Sequence, residues 1–277
     1  MQLRNFLQTH FPDLDPARLP GGFDRVGDIA VVSLTPELTA QERAIGALIL
    51  AAHPQLRVVA RRMGEVAGTY RIRPLAVIGG EERLTTVHRE NGVSLHLDLG
   101  QVYFSVRMAH ERARIAALVA PDERVAVLCS GAGPLPLIIA RHSRPRLVVG
   151  IELNPAAHQL ALLSLRANRR LRRVRFVEGD AAAVAAHLGE RFDRVVVVLP
   201  HGGETLLPAA LDALAPGGTL HFYAMRRCGD EGNAAAVVER ACRERGRRLG
   251  AVATGVCGHC GPGVHRVCLD CPVDTTA

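Results

Sequence analysis

The sequence predicts an α/β chain: a Rossmann-like, mostly parallel sheet preceded by a small α+β domain. Three observations predict it. From about Gln101 onward, short apolar runs alternate with helical stretches, an order that makes a parallel sheet covered on both faces. Before that, Phe23 to about Gly100 alternates in strand fashion around a single helical stretch. The strands of the second part also end in glycine or acidic residues, where open α/β sheets bind their ligands. The reading divides the chain into a lead-in over 1–22, a small α+β domain over 23–100 and a larger α/β domain over 101–277.

The elements follow in order. The lead-in, with room for one helix, ends at Pro20-Gly21-Gly22. Asp28–Val32 and Val93–Leu97 read as strands. Between them a helix runs from about Thr39 to His53; Thr39-Ala40-Gln41-Glu42 matches a capping box, and Ile45, Leu48 and Ile49 form an apolar stripe. In the second domain, Val125–Cys129 is a strand and Gly131-Ala132-Gly133-Pro134 opens a helix. Leu147–Ile151 is the next strand, followed by a helix from Asn154 to about Asn168. Val174–Val177, Arg194–Val198 and Thr219–Tyr223 are further strands. Leu249–Gly255 and Gly263–Leu269 suit an antiparallel hairpin.

The chain has 277 residues, of which 48% are hydrophobic, so it can bury a sizeable core. Trp is absent and aromatics are 4%, leaving Leu, Val and Ala to fill that core. No apolar run reaches the roughly 18 residues of a membrane span, and the first ten residues show no signal-peptide pattern. A cytoplasmic protein without a membrane partner is expected. The net charge of +7 and pI near 9.5 suit a polyanionic partner. All 34 basic residues are Arg, however, so composition bias accounts for the charge equally well.

Four strand ends carry the candidate chemistry. In Ser130-Gly131-Ala132-Gly133-Pro134, glycines let the backbone approach a ligand, and the following helix start favours negative charge. Glu152 ends the second strand about 20 residues later, placed to accept the two hydroxyls of a ribose or to sit at a helix start. Asp180, in Glu178-Gly179-Asp180-Ala181, can accept from an adenine amino group or cap a helix. Val198-Leu199-Pro200-His201 stands where a transferred group would be faced, or is a plain turn. Together these ends indicate an adenosine-containing cofactor. The third glycine of the dinucleotide fingerprint is missing, which favours S-adenosylmethionine (SAM) over NAD.

These residues resemble the tRNA guanosine-37 N1-methyltransferase family, which includes the wybutosine-pathway aminocarboxypropyl transferases. The resemblance runs from about Phe23 to Leu269. It rests on Phe23–Ala30, Gly68–Arg73, Thr86–Gly92, Val102–Arg107 with Glu111-Arg112, Gly131–Pro134, Glu152-Leu153-Asn154-Pro155, Gly179-Asp180-Ala181, Leu199-Pro200-His201, Pro216-Gly217-Gly218 and His221-Phe222-Tyr223.

The resemblance implies a class I SAM methyltransferase fold and tRNA as partner; the sequence leaves the oligomeric state open, a monomer being compatible with it. Arg107 would order the site or stabilise charge on the target base, with Pro200 and His201 as the other catalytic residues. Arg112, Gly131, Gly133, Glu152, Leu153, Asp180, Ala181, Val198 and Leu199 would bind the cofactor. The family usually has Asp at the position of Val127 and Asn at that of Val198, where the Asn contacts the target base. Valine cannot make that hydrogen bond, so either another group substitutes, His201 being nearest, or the substrate differs. No counterpart of the family's tRNA-elbow domain is expected before Phe23. The favoured activity is guanine N1 methylation at position 37. The alternatives are aminocarboxypropyl transfer and a degenerate protein that binds SAM or RNA.

Cys257, Cys260, Cys268 and Cys271 form C-x2-C twice, seven residues apart. The spacing within each pair suits zinc or an iron–sulfur cluster, with His259 and His265 as substitute ligands. On a regular strand, however, Cys268 and Cys271 would face opposite sides. The run Arg166–Arg175 reads as a helix end and solvated loop able to touch tRNA phosphate.

Overall fold

A computed structural model describes residues 3–227, 233–261 and 263–275, the side chains of Asn233, Cys260 and Thr275 excepted. The chain folds as two compact units. One runs up to Glu90 and includes Ser94–Val106; the other comprises Asn91–Val93 and the chain from Arg107 on.

The first unit contains α1 (Leu3–His10), β1 (Phe23–Val26), β2 (Ile29–Val32), α2 (Glu42–Ala52), β3 (Val58–Arg62), β4 (Leu75–Gly80), β5 (Thr85–Glu90) and most of β6 (Val93–Asp98). Strands β1 to β4 form one sheet in chain order, and β5 pairs with β6. Strands β2 and β3 are parallel, which requires the crossover that α2 supplies. The first 22 residues are part of this unit: Leu3, Leu7 and Leu19 share a buried cluster with Ile45 and Ile49 of α2 and Val59 of β3. Burying those leucines gives the segment a reason to be ordered. The expected capping box does not form. Thr39 lies in a 3₁₀ turn, Pro36–Gln41, where its hydroxyl donates to the Pro36 carbonyl, and the α-helix starts later, at Glu42. Proline at the head of that turn presets the helical φ, so the chain turns before Thr39 can act as a cap.

In the second unit, strands and helices alternate. The elements are α3 (Ala109–Leu118), β7 (Arg124–Leu128), α4 (Pro134–His142), β8 (Leu147–Glu152), α5 (Pro155–Ala167), β9 (Val174–Glu178), α6 (Ala181–His187), β10 (Phe192–Val197), α7 (Leu207–Ala213), β11 (Leu214–Arg227), α8 (Asn233–Arg243), β12 (Arg247–Leu249), β13 (Ala253–Gly261) and β14 (Val264–Thr275). The sheet order is β9-β8-β7-β10-β11-β14-β12. From β9 to β11 all neighbours are parallel, whereas β14 runs antiparallel to β11 and β12. After β9 the chain crosses β7 to continue on its other side. This reversal of strand order opens a crevice at the carboxyl ends of β7 and β10.

Alternation along the strands sorts side chains between the two faces. Val195, Val197, Leu220, Phe222, Leu269 and Cys271 join the core that packs on α7 and α8. Arg194, His221, Tyr223, Cys268 and Asp270, at the intervening positions, face the other way.

The carboxy-terminal hairpin differs from its sequence expectation. It is made of β13 and β14, while Leu249 belongs to the separate short strand β12. Strands β13 and β12 lie end to end along one edge of β14, pairing with its first and last parts respectively.

Candidate active site at the sheet switch point

The turn after β7 is built from unusual backbone. Cys129, Gly131 and Gly133 have φ of 59°, 58° and 79°. The two glycines serve different ends. A Cβ on Gly133 would lie 2.5 Å from Phe176 and 3.0 Å from Ala161, so this glycine lets α4 pack close to the sheet. A Cβ on Gly131 would meet nothing within 4 Å: the turn is open on that side.

Glu152, the last residue of β8, joins the strand ends. Its Oε2 accepts from the Gly131 N–H at 2.7 Å and its Oε1 from the Asn154 N–H at 2.8 Å. Its own carbonyl accepts from the Gly179 N–H at 2.9 Å. The β7 turn, the β8 end and the β9 end are thereby linked through one residue. Asn154 in turn caps α5 by accepting from Ala156 N–H.

Asp180 follows β9 and caps α6, its Oδ1 accepting from the N–H groups of Ala182 and Ala183. The capping role is therefore real, and it directs the carboxylate to the helix start beside buried Ala181. Cys129 feels both acids. Burial pushes its thiol up to about 12, with the charges of Glu152 and Asp180 adding to the effect. Ser130 Oγ, next in the turn, is buried without a hydrogen-bond partner.

At the fourth strand end the Val198 N–H donates to the Leu128 carbonyl at 3.2 Å, extending the β7–β10 pairing past the regular strand. Val198, Leu199 and Pro200 are half-buried and His201 is exposed. Arg107 is exposed just before α3, and Arg112 is buried on that helix. Leu153 is exposed. Val127 is fully buried within β7, between Val196 and Gly150 of the neighbouring strands.

Sequence reasoning missed a polar network on the face of the sheet turned toward α3. Arg114 donates two hydrogen bonds to Glu111, both at 2.8 Å, and two to Asp270, at 2.6 and 3.2 Å. His221 Nδ1 lies 2.6 Å from Asp270, and its Nε2 lies 2.6 Å from Arg194 Nη1. Arg194 also forks onto Glu123 and donates to the Leu118 carbonyl. The Tyr223 hydroxyl donates to Glu111. An arginine N–H can only donate, so Nε2 accepts and the proton sits on Nδ1: His221 is neutral. Burial lowers its pKa below 6.5, outweighing the upward pull of Asp270, and the Arg194 charge adds to the lowering. The alternation of polar residues in Arg194, His221, Tyr223 and Asp270 was the available signal.

The four-cysteine centre is not assembled. Cys271 lies in the core on α8, beside Cys242, whereas Cys268 lies on the α3 face, its Sγ toward Asp270 at 3.5 Å. Three positions apart on one strand, their sulfurs point to opposite sides of the sheet and cannot share a tetrahedral ion. Cys257 occupies a bulge and donates to the Arg266 carbonyl. The Cys260 side chain lies outside the described residues. His259 and His265 pack edge-on against each other. Among the described residues, His221, Cys268 and Asp270 bring ligand atoms within 4.8 Å, but the Asp270 carboxylate is already held by Arg114 and the His221 N–H.

Residues 86–249 match the TRM5/TYW2 methyltransferase domain model, more than half the chain. This chain belongs to the TRM5/TYW2 methyltransferase family. Residues 3–83 match the TYW2 N-terminal domain model. A tRNA (guanine(37)-N(1))-methyltransferase, Trm5b of Pyrococcus abyssi, is 32% identical over 76% of this chain and 62% of its own length. The chain thus spans less than two-thirds of that relative. A tRNA(Phe) (4-demethylwyosine(37)-C(7)) aminocarboxypropyltransferase of Pyrococcus horikoshii is 27% identical over 80% of this chain and 78% of its own length. The crystal structure of Pyrococcus abyssi Trm5b superposes with a TM-score of 0.84 at 28% identity, covering 93% of this chain and 76% of that one. Similar structures include TYW2 of Methanocaldococcus jannaschii in complex with AdoMet, with a TM-score of 0.71 at 19% identity, covering 92% of this chain and 100% of that one, and no helix among the described residues is long and apolar enough to cross a membrane.

Proposed function

We propose that this chain methylates N1 of guanosine 37 in tRNA, using SAM. The observation that carries the reading is the junction of Glu152 with the Gly131 turn, at the reversal of strand order. SAM fits the residues there. The turn is open above Gly131, and each Glu152 oxygen spends one hydrogen bond on the backbone, leaving further acceptor sites for ribose hydroxyls. When bound, SAM supplies an electrophilic methyl group on its sulfonium.

The chain's own residues bind, orient and manage the proton. Glu152 and Leu153 hold the ribose, and Asp180 with Ala181 the adenine; Gly131 and Gly133 shape the turn, with Arg112, Val198 and Leu199 completing the pocket. Leu199 and Pro200 form the slot for a base taken out of its stack. Methylation at N1 removes a proton and moves charge onto O6. Arg107 stabilises that charge, and His201 contacts the base where the family has asparagine and receives the proton.

A second reading, aminocarboxypropyl transfer to a tRNA base, is favoured by the match of residues 3–83 to the TYW2 N-terminal domain. One experiment separates the two. Unmodified tRNA transcripts with guanosine or another base at position 37 are incubated with SAM labelled either on the methyl or on the aminocarboxypropyl group. Methyl label that requires guanosine 37 supports the first reading. Aminocarboxypropyl label moves the chain to the second, and no transfer of either label overturns both.

A further inference from the structure

At the end of the sheet opposite the glycine turn, two loops carry charge of one sign. The α4–β8 and α5–β9 connections enter two neighbouring parallel strands, with Val148 in register with Val174. The loops are tied together: Val148 N–H donates to the Arg173 carbonyl at 2.8 Å, and the Arg173 guanidinium to the Pro145 carbonyl at 3.0 Å. They present Arg144, Arg146, Arg169, Arg170, Arg172 and Arg173, all exposed.

None of these six has a carboxylate partner among the described residues. The acids around them are committed elsewhere: Glu123 to Arg194, and Glu190 to Arg124 and Arg175. Asp122, whose N–H donates to the Arg144 carbonyl, is an opposing charge beside them. The exposed arginines of α8 are arranged differently, Arg240 with Glu244 and Arg243 with Glu239 as i,i+4 pairs. Solvation would be served by such pairs; a face of uncompensated guanidinium forks matches phosphate oxygens.

We propose that this face grips the phosphate backbone of tRNA, away from the base being modified. The inference rests on the tRNA reading above. Strand β8 is six residues long, so the arginines lie roughly 20 Å from the strand ends that carry Glu152. A target base at one end and phosphates at the other would lie several nucleotides apart on the RNA. Strand β9 is the edge of the sheet, so the α5–β9 loop lies at its rim.

The test compares tRNA binding by the unaltered chain, by the combined variant R144A, R146A, R169A, R170A and R172A, and by the control R240A and R243A, across a salt series. Arg173 is kept for its bond to Pro145. The five-fold variant is expected to bind an unmodified transcript at least about tenfold more weakly, with the slope of log K against log salt reduced by about 3. SAM affinity, and turnover at saturating tRNA, should hold. An unchanged affinity and slope, or an equal loss in the control, overturns the proposal. If the unaltered chain does not bind tRNA at all, the tRNA reading falls with it; if chain and five-fold variant bind alike, only this face is excluded.

Discussion

Glu152 and Gly131 are joined across the ends of β8 and β7 by a 2.7 Å hydrogen bond from backbone N–H to carboxylate. The bond fixes the carboxylate over the glycine turn before any ligand arrives, so little side-chain entropy is lost on binding. Replacing Glu152 by Ala should weaken SAM binding about 10- to 100-fold, from the loss of charge-assisted hydrogen bonds of about 1.5–3 kcal/mol. Calorimetric titration of SAM checks this; an unchanged affinity would place the ribose elsewhere.

The two glycines should respond oppositely. Gly133→Ala forces a methyl into Phe176 at a φ of 79°, which should cost about 2–3 kcal/mol of stability. Gly131→Ala meets no atom within 4 Å and pays only the left-handed backbone strain of about 1 kcal/mol, yet fills space the ligand needs. Thermal melts should separate the two on stability, and SAM titration should show the larger loss of affinity, relative to the melt, in Gly131→Ala.

Arg107→Ala should lower turnover about 100-fold while SAM affinity stays within twofold, because the proposed interaction exists only as charge develops on O6. Single-turnover methyl transfer measures it. A loss confined to SAM binding would move Arg107 into the cofactor pocket.

The His221–Asp270 pair predicts a pH response. His221 is held neutral, its folded pKa below the unfolded value of 6.5. Below pH 6.5 the unfolded chain therefore binds a proton that the folded chain refuses, and stability falls as pH drops, by up to about 1.4 kcal/mol per pH unit. His221→Gln should remove that part of the slope between pH 6.5 and 5. Asp270 acts lower. Its carboxyl is held well below the usual range by His221 and Arg114, against the opposing effect of burial, so its contribution is intact above about pH 4 and is lost only in stronger acid. Urea melts across this range check both; identical slopes for the unaltered chain and His221→Gln would mean that His221 is protonated when folded.

The legible parts of the site were those with local signatures. Gly131, Glu152 and Asp180 each lie at or just past the end of a strand, and the interval between them follows from strand–helix–strand geometry. The polar network was not legible because its partners are far apart in sequence: Arg114 and Asp270 are separated by 156 residues. Leu3, Leu7 and Leu19 looked like a lead-in because their burial depends on Ile45 and Val59, which only the fold brings to them. Thr39 satisfied a capping pattern but lost to Pro36, which starts a tighter helix first. The cysteine spacing suited a metal, and strand alternation carried Cys268 and Cys271 to different faces, the geometric objection already visible in their separation.

The most direct test of the central claim is mass analysis of nucleosides released from tRNA that has been incubated with the purified chain and SAM. The account predicts one added methyl on guanosine, placed at N1 and absent when position 37 is substituted. Unmodified guanosine 37 in the presence of bound SAM, or a methyl placed on a different nucleotide, would contradict it.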